Sequence, residues 1–326
     1  MRYRKLGKSD LNASVVGLGS EQFGDRAWGY GVQYNDTTIN RVIEAAIESG
    51  INLFDTAELY GDGKAEILLG NALRSCARSE CLIVSKVAPW NLRYARLMKA
   101  AERSLNRLRV DSIDLYLVHY PNPLVPIKET FRALEYLVRK GKIRYIGVSN
   151  FQPFLIQKAQ EALSRSEIIV NEIEYNILSR RAESTVIPYC RRHGIGIMAY
   201  SPFAEGILTG RYSAKNLPRD KARAFSFLAK RGFLQRARPL FEVLGDIAKE
   251  KKATVAQISL AYVLRDPNFI AIPAALSSLE VRDDARASDI QLSANDILRI
   301  HRTAPSLDIF RHSIDNFIYR PITCCL

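Results

Sequence analysis

Short apolar runs alternate along this chain with longer stretches in which apolar residues return every third or fourth position. The first pattern belongs to strands buried on both faces, the second to amphipathic helices laid against a sheet. Strands are predicted near Val15 to Gly19, Ile51 to Asp55, Leu82 to Lys86, Ile113 to His119, Tyr145 to Ser149, Ile168 to Glu172, Gly196 to Tyr200 and Phe269 to Pro273. Between them, Thr37 to Ser49 gathers Ile39, Val42, Ile43, Ala46 and Ile47 on one helical face, and Pro126 to Lys140 gathers Phe131, Leu134, Leu137 and Val138. Pro126 and Pro153 fall where a first helical turn accepts proline; Gly50, Gly141 and Gly194 fall where helices stop. Ahead of the first unit, Arg2 to Leu6 and Ala13 to Val16 read as a hairpin turning at Gly7-Lys8-Ser9-Asp10. Repeated strand and helix units at roughly 30-residue spacing predict a (β/α)8 TIM barrel, because parallel strands need crossovers and eight of them close the sheet. An N-terminal β-hairpin and a C-terminal helical extension complete the expected fold. An open doubly wound sheet is the alternative, weakened by the lack of Gly-x-Gly-x-x-Gly after the first strand. With no linker or shift in composition, residues 1–326 are expected to form one domain.

Composition narrows the class. Hydrophobic residues make up 47% of 326 positions and charged residues 25%, enough for a full core and far from a disordered or collagen-like chain. No apolar stretch approaches the roughly 20 residues that span a bilayer, and Met1 to Gly7 lacks the apolar segment of a signal peptide. A soluble, cytoplasmic protein is expected. Cys76, Cys81, Cys190, Cys324 and Cys325 show neither metal-ligand spacing nor a disulfide framework, and read as bystanders. A prenylation box needs cysteine at the position held by Thr323, so lipidation is not expected either. His119, His193, His301 and His312 form no ligand cluster, so no metal is expected.

Charge adds a question rather than an answer. The excess of 47 basic over 34 acidic residues concentrates between Arg211 and Arg238, through Lys215, Arg219, Lys221, Arg223, Lys230, Arg231 and Arg236. Such a run is either a solvated surface or a basic lid over a phosphate-bearing small molecule. No recognition motif accompanies it, so nucleic acid is not an expected partner.

Candidate chemistry comes from strand ends. Active sites of such barrels form at the carboxyl ends of the strands. Asp55, Lys86 and His119 close three successive strands, and Tyr60 follows Asp55 in the next loop. A free tyrosine titrates near 10, and an adjacent ammonium is expected to lower that value. Lys86 supplies the ammonium, and Asp55 is the carboxylate that keeps it charged once buried. His119 adds a donor aimed at a carbonyl oxygen as negative charge grows on it. Each residue alone has an ordinary structural explanation: a turn acid, a loop aromatic, a surface lysine, a core histidine. Together they suit protonation of an alkoxide or, reversed, deprotonation of an alcohol.

The motifs Gly-x-Asn-x-Phe-Asp-Thr-Ala-x-x-Tyr-Gly at 50 to 61, Ser85-Lys86, Leu117-Val118-His119-Tyr120-Pro121, Gly147-Val148-Ser149-Asn150-Phe151, Glu174-Tyr175-Asn176 and Tyr200-Ser201-Pro202 run in order through nearly the whole chain. In these the sequence resembles an aldo-keto reductase. The resemblance implies a barrel that passes hydride between a nicotinamide cofactor and an aldehyde or ketone, with Tyr60 as general acid, Lys86 and Asp55 tuning it, and His119 orienting substrate. It further implies that Ser149 and Asn150 hold the nicotinamide carboxamide and that Tyr200 stacks on the ring. Ser201 to Arg211, with Pro202, Gly206, Leu208 and Gly210, resembles the loop that wraps the pyrophosphate. Trp28, Trp90 and Tyr120 are expected to shape the substrate pocket. A regulatory subunit like the potassium-channel β subunits is the second reading, since those share the fold and hold a nicotinamide nucleotide.

Matched positions depart from the family at its nucleotide end. Glu172 stands where a glutamine usually contacts the carboxamide. After Ile272-Pro273, Glu280 stands where arginine or glutamine is frequent, Asp284 replaces asparagine, and Ala274 and Leu276 replace smaller or polar residues. A carboxylate repels a ribose 2′-phosphate and accepts bonds from a ribose diol. NADP(H) is the expected cofactor, with weakened discrimination against NAD because of Glu280 and Asp284; Arg282 or the basic run is the remaining candidate for a phosphate contact.

Overall fold

The computed structural model describes residues 1–218, 222, 223, 226 and 228–304. Arg219, Lys221, His312 and the C-terminal Cys324 and Cys325 lie outside the described residues, as does anything of the expected C-terminal extension beyond residue 304. The described residues form the strands β1 (Tyr3–Lys5), β2 (Asn12–Ser14), β3 (Leu18–Gly19), β4 (Leu53–Asp55), β5 (Leu82–Val87), β6 (Ile113–Val118), β7 (Ile143–Ser149), β8 (Ile168–Glu174), β9 (Gly196–Tyr200) and β10 (Phe269–Ile272). The helices are α1 (Asp36–Glu48), α2 (Lys64–Ala72), α3 (Tyr94–Leu108), α4 (Ile127–Arg139), α5 (Pro153–Glu161), α6 (Val186–His193), α7 (Arg231–Arg236), α8 (Arg238–Glu250), α9 (Val255–Leu264), α10 (Ser278–Arg286) and α11 (Ala294–Thr303).

Strands β3 to β10 lie side by side in chain order, all parallel. The sheet then closes on itself. Gly17 and Gly19 donate to the carbonyls of Ala271 and Pro273 at 2.8 Å, and Ala271 donates to Val15 at 3.0 Å. The result is a (β/α)8 barrel with an N-terminal hairpin, as the alternation of apolar runs predicts. The predicted strand Val15 to Gly19 divides its bonding: Leu18 and Gly19 pair with β4, while Val15 and Gly17 face β10 across the seam. Strand β8 runs on to Glu174 because Ile173 and Glu174 find partners in Ala199 and Tyr200. The helix starts and stops follow local chemistry. Asn35 caps α1 reciprocally with Thr38, Pro153 opens α5, and Gly194 ends α6 in the left-handed conformation.

Two apolar layers hold the barrel. The outer one lies between the strands and the helices that cover them. The inner one fills the barrel with Leu53, Val84, Leu115, Leu117, Val170, Met198 and Ile270. Leu6 and Leu11 of the hairpin join this inner layer, so β1 and β2 floor the amino-terminal end of the barrel. Gly7 makes that turn possible: its φ is +53°, and a Cβ there would sit 2.1 Å from the Ile169 carbonyl. Cys76 and Cys81 lie side by side just before β5, at the same end of the barrel. The strands' carboxyl ends are left open, and there the loops enclose a groove.

Candidate active site

Strand register brings the candidate acid and base together. Asp55 ends β4 opposite Val84, and Lys86 lies two residues further along β5, so both project from neighbouring strand ends. The Lys86 side chain is wholly buried, and its ammonium donates to the two Asp55 oxygens at 2.6 and 2.7 Å. The Thr56 carbonyl and the Tyr60 hydroxyl each lie 3.2 Å from the same nitrogen. Glu172 Oε1, from β8, lies 3.3 Å from it. Five acceptors thus surround three protons.

Tyr60 reaches this point because the chain turns sharply behind it. Gly61, Asp62 and Gly63 all have positive φ. Gly61 also passes against the Gly24 backbone, where a Cβ would lie 3.0 Å from the Gly24 carbonyl carbon. Two acids, the partly buried Glu58 and the buried Glu66, pin the surrounding loops. Glu58 accepts from the Ala88 amide at 2.6 Å and from Asn91 at 3.0 Å; Glu66 accepts from Ser85 and from Arg107, each at 2.6 Å.

The electrostatics change one expectation. Burial disfavours the charged lysine, yet Asp55 and Glu172 outweigh it and raise the Lys86 pKa. Burial also raises Asp55 and carries Glu172 well above the usual carboxylate range, where Asp55 beside it adds to the shift. The Tyr60 pKa, expected to fall under the influence of Lys86, instead lies well above 10. Burial is the main cause, followed by the charges of Asp55, Glu172 and Glu21. A single ammonium does not offset them, so Tyr60 is held as a neutral phenol, a proton donor. His119 follows β6 and is held by its amide bond to the Val87 carbonyl at 3.1 Å. Burial, with Lys86 adding to it, lowers its pKa to about 2, so the imidazole is neutral. It stacks on Tyr120 at 4.9 Å and meets Tyr60 edge-on at 5.6 Å. Its buried Nδ1 has no hydrogen-bond partner among the described residues.

The groove above this cluster has a volume of about 2750 Å3. Asp55 and Tyr60 open onto it, as do Trp28, Trp90 and Tyr120. So do Asn150, Tyr200, Ser201, Pro202, Gly206, Gly210, Arg211, Ala274, Glu280 and Asp284. Lys86, His119, Ser149, Glu172 and Leu208 stand behind this lining. Asn150, at φ +63°, donates to Ser149 Oγ at 2.9 Å and to the His119 carbonyl at 3.2 Å, and accepts from the Tyr200 hydroxyl at 2.9 Å. The carboxamide side chain and the phenol are therefore set by each other.

Beyond Tyr200 the wall is a loop that shapes itself. Ser201, Ala204, Glu205, Gly206 and Gly210 have positive φ, and the amides of Ala204, Gly206, Ile207, Leu208 and Thr209 donate within its own turns. Arg211 closes on Glu280, whose other oxygen accepts from the Leu276 amide at 2.9 Å. Asp284 is buried, and burial, then Glu280 and Asp283, carries its carboxyl well above the usual range. Arg282 is turned the other way, paired with Glu48 of α1 at 3.0 Å. In the basic run, the Arg223 guanidinium lies 4.8 Å from the Trp28 ring and 5.6 Å from Tyr212, while Ala222 donates to Ala27 at 3.1 Å. These two described residues thus cross from one wall of the groove to the other. Sequence reasoning missed the pairing of Glu172 with Lys86. The available signal was an acid two residues beyond Val170, hence on the same inward face of the strand. Among the described residues no cluster of His, Cys, Asp and Glu could hold a metal, and no helix is long and apolar enough to cross a membrane.

Comparison with known proteins agrees with this geometry. The Aldo/keto reductase family model matches residues 15–304. Methylglyoxal reductase YeaE of Escherichia coli is 31% identical over 297 residues, spanning 91% of this chain and 93% of its own. A probable voltage-gated potassium channel subunit beta of Arabidopsis thaliana is 31% identical over 309 residues, spanning 89% of this chain and 92% of its own. Among solved structures, the aldo/keto reductase from Klebsiella pneumoniae in complex with NADP and acetate matches with a TM-score of 0.75 at 30% identity, over 94% of this chain and 97% of its own. The family match runs from the start of the barrel seam through α11, over most of the chain: the chain belongs to the aldo/keto reductase family.

Proposed function

We propose that the protein is an NAD(P)H-dependent carbonyl reductase, acting on an aldehyde or ketone or, in reverse, on the corresponding alcohol. The observation that carries this reading is the Tyr60 hydroxyl, 3.2 Å from a buried ammonium and open to the groove. The residues present fit a nicotinamide dinucleotide: an aromatic wall at Tyr200, the Asn150 carboxamide, a self-shaped loop from Ser201 to Gly210, and Arg211 at the far end. When bound, the nicotinamide supplies the hydride.

The protein's own residues handle the proton. Tyr60 donates to the oxygen of the reduced carbonyl, and Lys86 stabilises the phenolate that forms. Asp55 keeps Lys86 charged. His119, neutral, donates through one ring nitrogen to the carbonyl oxygen and orients it, while Trp28, Trp90 and Tyr120 shape the substrate side. Ser149 and Asn150 hold the carboxamide. Pro202, Gly206, Leu208 and Gly210 set the loop against the pyrophosphate, and Ala274 lines the adenine end.

NADP(H) is the cofactor favoured by the complex of the Klebsiella pneumoniae relative. Glu280 pairs with Arg211, so we infer weak discrimination between the phosphorylated and unphosphorylated nucleotides. The test is a screen of aldehydes, ketones and sugars with both reduced cofactors, read by nicotinamide absorbance. No oxidation with any of them would overturn the enzyme reading. A nucleotide-sensing regulatory subunit is the second reading, favoured by the name of the Arabidopsis thaliana relative. Rapid multiple turnovers would remove it; a single slow turnover of bound NADPH would support it.

A further inference from the structure

Lys86 stands between two acids where one suffices to balance it. Asp55 takes the ammonium with both oxygens, at 2.6 and 2.7 Å; Glu172 approaches with one oxygen, at 3.3 Å. The three side chains are at most 3% exposed. Glu172 Oε2 is buried with no hydrogen-bond partner among the described residues. Two ionised carboxylates against one cation would leave a net negative charge in a closed, low-dielectric space, which is costly. The tighter, two-oxygen contact marks Asp55 as the ionised partner and Glu172 as the one that keeps its proton. Tyr60 lies 3.2 Å from the same ammonium. Glu172 and the phenol are therefore coupled acids joined through one nitrogen, and they titrate as a unit.

We propose that Glu172 is a further positioning residue of the proton-donor site, an acid that keeps the Tyr60 phenol protonated and able to donate. This rests on the reading of Tyr60 as the proton donor. Its logic is electrostatic. As the solution becomes alkaline, the carboxyl gives up its proton before the phenol does. The new negative charge beside Lys86 then opposes phenolate formation. After Tyr60 has donated, the Glu172 proton can pass to Lys86 Nζ as a Lys86 proton passes to the phenolate oxygen, leaving the negative charge on a carboxylate. No other bond changes.

The groups that face this unit are Asp55 from β4, Lys86 from β5, His119 and Tyr120 after β6, and Tyr60 and Glu21 from the rim loops. On the neighbouring strands Glu172 sits beside Ser149 and Met198, which do not titrate in this range. Both the Glu172 carboxyl and the Tyr60 phenol lie well above their ordinary ranges, in agreement with the geometry.

The test compares wild type with E172Q, which keeps the shape and removes the acid. The alkaline break in kcat/KM for aldehyde reduction is expected to move down by about one pH unit, lowering the rate about tenfold just above the wild-type break. A merely structural role would lower rates without moving the break, and an unmoved break overturns the proposal. Phenolate absorbance, taken as the difference between each protein and the same protein with Tyr60→Phe, gives a readout that needs no turnover. Wild type is expected to form no Tyr60 phenolate below about pH 10, and E172Q to form it earlier. Should E172Q not fold, E172M fills the space without an acid and carries the same comparison. Phenolate in wild type below that pH also overturns the proposal. A wild type that fails to oxidise NADPH with every carbonyl compound tried defeats the enzyme reading instead, and the phenolate titration still decides the role of Glu172.

Discussion

At the strand ends, Asp55, Lys86 and Glu172 are fixed by the registers of a closed sheet, and His119 is tied to β5 by its own amide. At the far end of the groove, Arg211 hangs from a loop and Glu280 from the first turn of a helix. The first region buries its charges almost completely. The second pairs charges at a surface where more than half of the Arg211 side chain remains exposed. Buried pairs are strongly coupled and costly to break, whereas exposed ones contribute little and rearrange. The chemistry is thus set by the scaffold, and the choice of nucleotide by contacts that small changes can move.

The sharpest way to break this contrast is Tyr60→Phe. Removing a general acid from a fixed site is expected to lower reduction by about 10²- to 10⁴-fold while leaving nucleotide affinity near wild type. Activity above about a tenth of wild type, measured by nicotinamide absorbance, would contradict the assignment. Lys86→Met is next. It leaves two carboxyls buried without a cation, and unfolding by denaturant is expected to show a loss of about 3–5 kcal/mol. In the active fraction, alcohol oxidation should need higher pH, because the charge that favours phenolate is gone.

At the nucleotide end the effects are smaller. NADPH should be preferred over NADH by less than a hundredfold, below about 2.8 kcal/mol. Glu280→Gln frees Arg211 and should raise that preference several-fold; binding titrations with both cofactors decide it. The last expectation is an absence of change. His119 titrates near 2 in the folded protein and near 6.5 when unfolded, so the reduction rate should show no break near pH 6.5. The folded state binds fewer protons in that interval, so this group's contribution to stability is present above 6.5 and lost as pH falls toward 2. Melting temperature against pH reads that slope directly.

The alternation of apolar runs made the barrel legible, because each strand is buried on both faces and each helix on one. Boundaries moved where hydrogen bonds, not apolarity, set them, as at the seam through Val15 and Gly17. The strand-end cluster was legible for the same reason: polar residues at the end of an apolar strand have one place to go. The direction of the Tyr60 shift was not, because it depends on the sum of Asp55, Glu172 and Glu21 around one point, and Glu172 arrives from a strand far along the sequence. Nor was the fate of Arg211 and Arg282. Loop arginines have several carboxylates within reach, and the chain gives no register to say which they choose.

The seam has a consequence for how the molecule is made. The first strand of the barrel pairs with the last, Val16 beside Ala271, so during synthesis the sheet stays open until the ribosome has released nearly all of the chain described here. Until then β3 and the newest strand each present an unpaired backbone edge. Contacts so distant in sequence form slowly, and open edges invite other chains. A ribosome stalled before Phe269 leaves a barrel that has its proton donor and cannot close.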